Sequence, residues 1–138
     1  MAAKPCRVCS DFKKWSRVQQ KRPVTKECPL DGEELGRATW AFLHTAAAYY
    51  PDKPSADQQH DMKQFISLMS KIYPCESCAD HMQSRLKTHP PGASEQKELA
   101  LWMCQLHNEV NERLGKPQFD CSTVNERWLV GWKGGSCD

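Results

Sequence analysis

The sequence predicts an all-α protein: a four-helix bundle with a short fifth helix, preceded by a flexible N-terminal arm. Three observations support this fold class. Apolar residues recur at helical spacing, prolines and glycines divide that pattern into segments with short connections, and no segment alternates as a strand would. Helices joined by short connections favour an antiparallel bundle.

The first two predicted helices have clear start and stop signals. Asp31 is a candidate N-cap for a helix that runs to about Tyr49 and stops at Pro51. Ser55 or Asp57 begins the second helix. Its apolar residues recur three and four positions apart, as in an amphipathic helix: Met62, Phe65, Ile66, Met69 and Ile72.

The other three helices are bounded by cysteine, proline and glycine. The third begins at the pair Cys75-x-x-Cys78 and ends before His89-Pro90-Pro91-Gly92. The fourth runs from about Ser94 to Leu114 and is closed by Gly115. A short fifth helix is expected at about 122–132.

Composition limits the classes of function. The formal net charge of +2 gives no argument for a nucleic-acid partner, and no apolar run is long enough to span a membrane. The N-terminus has no apolar segment typical of a secretory signal. Eight cysteines therefore indicate either catalytic thiols or a compartment that oxidises thiols without secretion. We expect an arm over residues 1–27 and one domain over residues 28–138.

The pair Cys75-Glu76-Ser77-Cys78 is the strongest chemical signal. It opens a predicted helix, where unpaired N–H groups and the positive end of the helix dipole stabilise a thiolate. Such a pair can cycle between dithiol and disulfide. A zinc site shared with Cys6-x-x-Cys9 is disfavoured because most of the domain separates the two pairs.

The fourth helix carries a second signal. Four of its residues fall on one narrow face beside an apolar core stripe: Cys104, His107, Asn108 and Asn111. In the first helix, a cation, an aromatic ring and a histidine share a face: Arg37, Trp40 and His44. Such faces suit a planar ligand that carries phosphate. An exposed polar face, with a core tryptophan and a hydrogen-bonded histidine, explains the same pattern.

The remaining signals are weaker. Lys116, Arg127 and Trp128 suit phosphates and a stacked ring, or equally surface charges and a core anchor. Cys104 and Cys121 bracket a turn, so a structural disulfide between them would stabilise the domain by about 3 kcal/mol in the chain-entropy model. Cys28 and Cys137 are the remaining cysteines of the domain. A disulfide between them within one chain and a disulfide between two chains are both open.

The ordered set of motifs resembles one family. The segments are Glu34-Leu35-Gly36-Arg37, Trp40-Ala41-Phe42-Leu43-His44-Thr45, Ala47-Ala48-Tyr49-Tyr50-Pro51, Tyr73-Pro74-Cys75-Glu76-Ser77-Cys78, His107-Asn108-Glu109-Val110-Asn111 and Phe119-Asp120-Cys121. Together they are similar to the FAD-linked sulfhydryl oxidases of the ERV/ALR family, and most similar to a mitochondrial member. The resemblance covers nearly the whole chain.

The resemblance implies a helical bundle that holds FAD in its core beside the redox pair. Cys75 would accept electrons from an external dithiol, and Cys78 would face the flavin. The positions that match the family's FAD-lining residues are Arg37, Trp40, His44, Glu76, Cys104, His107, Asn108, Val110, Asn111, Lys116, Arg127 and Trp128.

The resemblance also assigns the other cysteines. Cys6 and Cys9 match a shuttle pair, and the residues between Cys9 and Cys28 would span at most about 60 Å when extended. The pair that matches Cys28 and Cys137 links the two chains of a homodimer in this family.

The implied function is a thiol oxidase that forms disulfides in protein dithiols and passes electrons through FAD to oxygen or cytochrome c. Its implied partner is a cysteine-rich import receptor of the mitochondrial intermembrane space, with the cytosol or secretion as further locations. No metal, nucleic acid or membrane is expected. The rival hypotheses are a disulfide-stapled helical signalling protein without catalysis and, more weakly, a zinc-dependent interaction module.

Overall fold

A computed structural model describes residues 28–137 of the chain. The predicted arm, with Cys6 and Cys9, lies outside the described residues. Residues 28–30 are exposed and have no regular secondary structure. The compact unit that contains the helices begins at Asp31.

Four α-helices and a short irregular helical segment form this unit, and residues 28–137 contain no strand. The α-helices are α1 (Gly32–Ala48), α2 (Ala56–Ile72), α3 (Glu76–Thr88) and α4 (Gln96–Arg113). The segment predicted as a fifth helix contains a 3₁₀ turn at Cys121–Thr123 and a π-helical turn at Glu126–Val130. The predicted all-α fold is confirmed.

The starts of α1 and α2 are capped as their sequences predict. The Asp31 carboxylate accepts the Glu34 N–H at 2.8 Å, while the Glu34 carboxylate accepts the Asp31 N–H at 3.0 Å. Ser55 and Gln58 form the same reciprocal arrangement, so Ser55, not Asp57, begins α2. Each capping box satisfies two backbone donors that the helix itself leaves unpaired.

The ends of α4 differ slightly from expectation. The helix begins at Gln96, two residues after Ser94, because the Ser94 N–H and hydroxyl both donate to the Glu98 carboxylate ahead of the first turn. At the other end, Gly115 adopts a φ of +67°. This left-handed conformation lets the Lys116 N–H reach the Asn111 carbonyl at 2.8 Å and turns the chain back along the helix.

The core lies between two helix pairs, because α1 packs on α4 and α2 packs on α3. The stripe predicted on α4 is buried at Leu99, Trp102, Met103 and Leu106, while Val110 is half-buried. The complete set of buried residues in the main cluster is Leu43, Ala47, Tyr50, Ile66, Ala93, Leu99, Trp102, Met103 and Leu106.

The apolar stripe of α2 is divided between core and surface. Ile66 is fully buried, and Met62 and Met69 pack against the core. In contrast, Phe65 is 38 % exposed and Ile72 is 78 % exposed. Phe42 on α1 and Leu68 on α2 are also exposed, and we call the set the exposed apolar face: Phe42, Phe65, Leu68 and Ile72. The Phe42 and Phe65 rings meet edge to face, with centroids 6.0 Å apart.

A buried polar network holds the C-terminal segment against the bundle. The Gln96 amide donates to the Ala47 carbonyl at 3.3 Å and to Asn125 Oδ1 at 2.9 Å. Asn125 donates back to Gln96 Oε1 at 3.2 Å. Because these bonds join α1, α4 and the residues before the π-turn, they fix where Arg127 and Trp128 lie. No helix in the described part of the chain has the length and apolarity to cross a membrane.

We expect Leu99→Ala to lower the free energy of unfolding by about 2–5 kcal/mol, because Leu99 is fully buried and truncation leaves a cavity. Urea denaturation followed by circular dichroism measures the change. Leu101→Ala is the matched control: it is the same substitution on the same helix, at a side chain that is 44 % exposed. Equal losses in the two variants would contradict this account of the core.

Candidate functional site

The redox pair lies at the start of α3. Cys75 is the N-cap residue of this helix, and its sulfur is bonded to that of Cys78 in a disulfide. The Cys75 side chain makes no capping hydrogen bond to the helix. The Ser77 hydroxyl lies 3.7 Å from Cys75 Sγ. The pair therefore sits where unpaired N–H groups favour negative charge on sulfur.

A cavity of about 280 Å³, which we call the inner cavity, borders this disulfide. Cys78 lines it, whereas Cys75 does not. Residue exposure does not mark Cys78 as the inward-facing member of the pair, since Cys78 is exposed and Cys75 is half-buried. What distinguishes the two cysteines is the surface that Cys78 contributes to the cavity wall.

The inner cavity is mostly apolar. Its wall comes from all four helices and contains Leu43, Met69, Met82, Leu106 and Val110, together with Trp40 and Tyr73. Its ionisable residues, besides Cys78, are Tyr73, His81 and Arg113. The sequence does not single out His81 or Arg113, because no spacing rule on one helix shows which residues of α3 and α4 line the same cavity.

Four aromatic rings form two stacked pairs, and the His44 and His107 rings of the two pairs are inclined by 37° to each other. Trp40 stacks on His107, with centroids 4.0 Å apart and planes inclined by 5°. His44 stacks on Trp128 at 4.7 Å and 7°. The Arg127 guanidinium lies 4.0 Å from the centre of the Trp128 ring, in the range of a cation–π contact.

The two histidines join these stacks through a hydrogen bond. His44 Nε2 lies 2.8 Å from His107 Nδ1. Burial lowers the pKa of His44 to about 3, with further lowering from His107 and Arg127. Burial and Lys116 also lower the pKa of His107. Both rings are therefore neutral near pH 7, and one ring donates the shared hydrogen while the other accepts it.

One buried polar atom in this cluster has no partner. No hydrogen bond from residues 28–137 reaches His44 Nδ1. Leaving such an atom unsatisfied costs about 1–3 kcal/mol. The cost makes His44 a candidate for contact with a polar ligand group.

A larger cavity of about 760 Å³, the outer cavity, is lined by these rings. It takes in ten of the twelve positions expected to bind a cofactor: Arg37, Trp40, His44, Cys104, His107, Val110, Asn111, Lys116, Arg127 and Trp128. Trp40 and Val110 also line the inner cavity, so the two spaces share part of one wall. The polar face of α4 and the Arg37 face of α1 thus line a cavity, as the ligand hypothesis predicts.

Two of the twelve positions lie elsewhere. Glu76 is exposed in the first turn of α3 and lines neither cavity. Asn108 is turned toward a loop: its amide donates to the Phe119 carbonyl at 2.8 Å and accepts the Phe119 N–H at 2.8 Å. Asn108 therefore anchors the loop that carries Phe119, which itself lines the outer cavity.

A second disulfide reinforces that loop. Cys104 and Cys121 are bonded, with Cα atoms 5.8 Å apart. Cys104 is buried beside Ala100 and Val124, in a small cluster against which Phe119 and Trp128 pack. The covalent bond and the Asn108 hydrogen bonds together hold the loop against α4.

The outer cavity is rich in cations. Arg37, Lys116 and Arg127 line it, and Glu33 is the one acidic residue among the described residues of its wall. Glu33 pairs with Arg37 along α1. In the described part of the chain, no three histidine, cysteine or acidic side chains are grouped to hold a metal ion.

Comparison with known proteins gives a consistent result. Residues 37–129 match the model of the Erv1 / Alr family. The FAD-linked sulfhydryl oxidase ERV1 of Arabidopsis thaliana is 46% identical over 111 residues, 79% of this chain and 58% of that protein. The mitochondrial FAD-linked sulfhydryl oxidase ERV1 of Saccharomyces cerevisiae is 43% identical over 80% of this chain and 59% of that protein. The chain thus spans less than two thirds of the length of these relatives.

Solved structures agree with the fold. The crystal structure of the yeast Erv1 core matches with a TM-score of 0.78 and 43% identity, over 81% of this chain and 95% of that chain. The structure of the FAD binding domain of Erv1 from Saccharomyces cerevisiae matches with a TM-score of 0.73 and 43% identity, over 75% of this chain and 99% of that chain. With this sequence match and this shared helical fold, the chain belongs to the Erv1 / Alr family.

Proposed function

We propose that the chain is an FAD-dependent thiol oxidase that forms disulfides in protein dithiols. The observation that carries this proposal is the position of Cys78. It belongs to a disulfide at a helix start and lines a cavity that adjoins a second cavity rich in aromatic rings and cations. The names of the relatives, FAD-linked sulfhydryl oxidases, support the same activity.

The residues present fit FAD. The apolar inner cavity suits a flat ring system beside Cys78, and the parallel rings of the outer cavity suit a second flat base. Arg37, Lys116 and Arg127 supply cations for a pyrophosphate. The unpartnered Nδ1 of His44 offers a polar contact in the same wall. We therefore propose the ten positions that line the outer cavity as the FAD-holding set.

When bound, FAD would supply a two-electron acceptor for the reduced cysteine pair. The protein's own residues perform the thiol chemistry. An external thiolate attacks Cys75 Sγ, the Cys75–Cys78 bond breaks, and its electron pair remains on Cys78 as a thiolate. The second thiolate of the substrate then attacks the substrate sulfur that is bonded to Cys75. A disulfide forms within the substrate, and Cys75 is released as a thiolate. The substrate leaves as a disulfide, and the cysteine pair holds its two electrons.

The neutral histidine pair orients the rings of the outer cavity. Because burial keeps His44 and His107 uncharged, their mutual hydrogen bond costs no charge repulsion near pH 7. This hydrogen bond fixes the planes of the two imidazole rings relative to Trp40 and Trp128. Cys75 and Cys78 are the proposed catalytic residues, and these rings are binding residues.

We further propose that residues 1–27 form an arm whose pair, Cys6 and Cys9, carries electrons from protein substrates to Cys75. The domain would comprise residues 28–138. This division rests on the family resemblance of the arm. A tether of this kind keeps the local concentration of the shuttle thiols near Cys75 high. The proposed partner is a cysteine-rich import receptor of the mitochondrial intermembrane space, and the final acceptor is oxygen or cytochrome c. The mitochondrial names of the yeast relatives support a mitochondrial location.

The exposed apolar face supports a homodimer. Phe42, Phe65, Leu68 and Ile72 are between 38 % and 78 % exposed, although aromatic and aliphatic side chains gain free energy from burial. We propose that a second copy of the chain covers this face, and that Cys28 and Cys137 form the disulfides that link the two copies.

The first test is the visible spectrum of the purified protein. We expect an oxidised-flavin band that bleaches when dithiothreitol is added without oxygen. Cys75→Ser and Cys78→Ser should retain the band, but their oxygen consumption with dithiothreitol should fall at least ~100-fold, because the electron path is cut. A colourless protein that takes up no added FAD would refute the proposed cofactor, and undiminished turnover in either variant would refute the path.

The arm requires a different comparison. Cys6→Ser and Cys9→Ser should leave the oxidation of dithiothreitol unchanged, because a small dithiol reaches Cys75 directly. The same variants should slow the oxidation of a reduced protein substrate. Parallel assays of oxygen consumption with the two substrates measure the difference. Equal losses on both substrates would exclude a shuttle.

The dimer can be tested at its aromatic contact. Phe42→Ser combined with Phe65→Ser should weaken self-association at least ~10-fold, because hot-spot aromatic residues dominate interfaces. Sedimentation velocity on proteins with Cys28→Ser and Cys137→Ser measures association without the linking disulfides. Leu101→Ser, on an exposed position of α4, is the control. An unchanged dissociation constant in the double variant would place the interface elsewhere.

A further inference from the structure

Arg113 gives the inner cavity an electrostatic character that the thiol chemistry above does not use. Arg113 is the last residue of α4, and Cys78 lies in the first turn of α3. Both line the inner cavity. Of the described residues in that wall, Arg113 alone carries a permanent charge.

A neighbouring acidic residue on α4 is already paired. Glu109 lies one turn before Arg113 on α4, and its Oε1 is 2.9 Å from Arg85 Nε on α3. The Arg85 side chain is 10% exposed and the Glu109 side chain is 38% exposed, so the arginine of this pair is largely shielded from water and the carboxylate is not. Among residues 28–137, no ion pair involves Arg113. Arg113 is exposed, so water screens its charge, but no carboxylate among these residues neutralises it directly.

His81 adds no second charge near neutral pH. It follows Cys78 by three residues on α3 and lines the same cavity. Burial lowers the pKa of His81, repulsion from Arg113 and Arg85 lowers it further, and Glu109 acts in the opposite direction. The imidazole is therefore neutral at pH 7, and Arg113 supplies the net charge of this group.

The other ionisable groups near Cys78 are accounted for. On α3 itself, Glu76 and Asp80 are exposed and do not line the cavity. Tyr73 lines it with a phenol. Arg113 and Cys78 are exposed as well, so water screens all of these charges, and what distinguishes Arg113 from the two carboxylates is that it lines the same cavity as Cys78.

We propose that Arg113 is a positioning residue of the redox pair that acts through Cys78, with its guanidinium stabilising the Cys78 thiolate. This inference rests on the proposed function. When an external thiolate attacks Cys75 Sγ, one S–S bond forms and one breaks, and the negative charge moves from the incoming sulfur to Cys78. No proton is transferred in this step. A cation that lines the same cavity as Cys78 favours the Cys78 thiolate and therefore makes it a better leaving group.

The test measures the thiol pKa of Cys78 in the full chain as purified. In a Cys75→Ser background Cys78 has no disulfide partner within the pair. Its alkylation by iodoacetamide is followed against pH by mass spectrometry of the tryptic peptide 72–85, in which Cys78 is then the sole cysteine. We expect Arg113→Gln to raise the apparent pKa by about 0.5–1 unit. Arg113→Lys should restore most of the original value, because it retains the charge.

Lys97→Gln is the matched control, since it removes one positive charge from an exposed position on the same helix that lines neither cavity. An unchanged pKa in Arg113→Gln would overturn the proposal, and so would an equal shift in Lys97→Gln. Circular dichroism shows whether each variant is folded. Alkylation requires no turnover and no electron acceptor, so failure of the oxidase hypothesis would appear in the flavin experiment and not in this one.

Discussion

The contact between His44 and His107 joins the two helices on which both cavities depend. His44 lies on α1 and His107 on α4, and their ring nitrogens are 2.8 Å apart. Burial makes the charged form of either ring costly, so the pair is held together as neutral partners near pH 7. Trp40 stacks on His107 and Trp128 stacks on His44, and residues 116–119 of the loop after α4 line the same outer cavity. If α1 were displaced from α4, the outer cavity would lose its aromatic wall and the inner cavity would lose Trp40.

Local signals in the sequence predicted most of the fold. Asp31 and Ser55 cap their helices through neighbours three residues away, and Gly115 ends α4 through its own backbone conformation. Such features depend on a few consecutive residues and are therefore visible in the sequence. The division of the α2 stripe was not visible, because Phe65 and Ile66 have similar apolar character while only Ile66 faces the core.

The site was predictable where one helix face determined it. Helical periodicity grouped Cys104, His107 and Asn111, and all three line the outer cavity. The same periodicity included Asn108, whose amide is instead bound to the backbone of Phe119, eleven residues later in the chain. His81 and Arg113 escaped prediction because their relation depends on how α3 approaches α4. Sequence spacing describes one helix at a time, whereas a cavity wall is assembled from several.

Trp40 and Val110 belong to the walls of both cavities, and this shared wall has a consequence for an elongated ligand. Contacts made at the distal end fix the side chains that also shape the space beside Cys78. Binding free energy gained far from the disulfide then restricts the orientation of the reactive end. Substitutions in the outer cavity should consequently change reactivity as well as occupancy. In this protein, the packing between α1 and α4 determines both how tightly one end of an elongated ligand is held and how its other end is oriented.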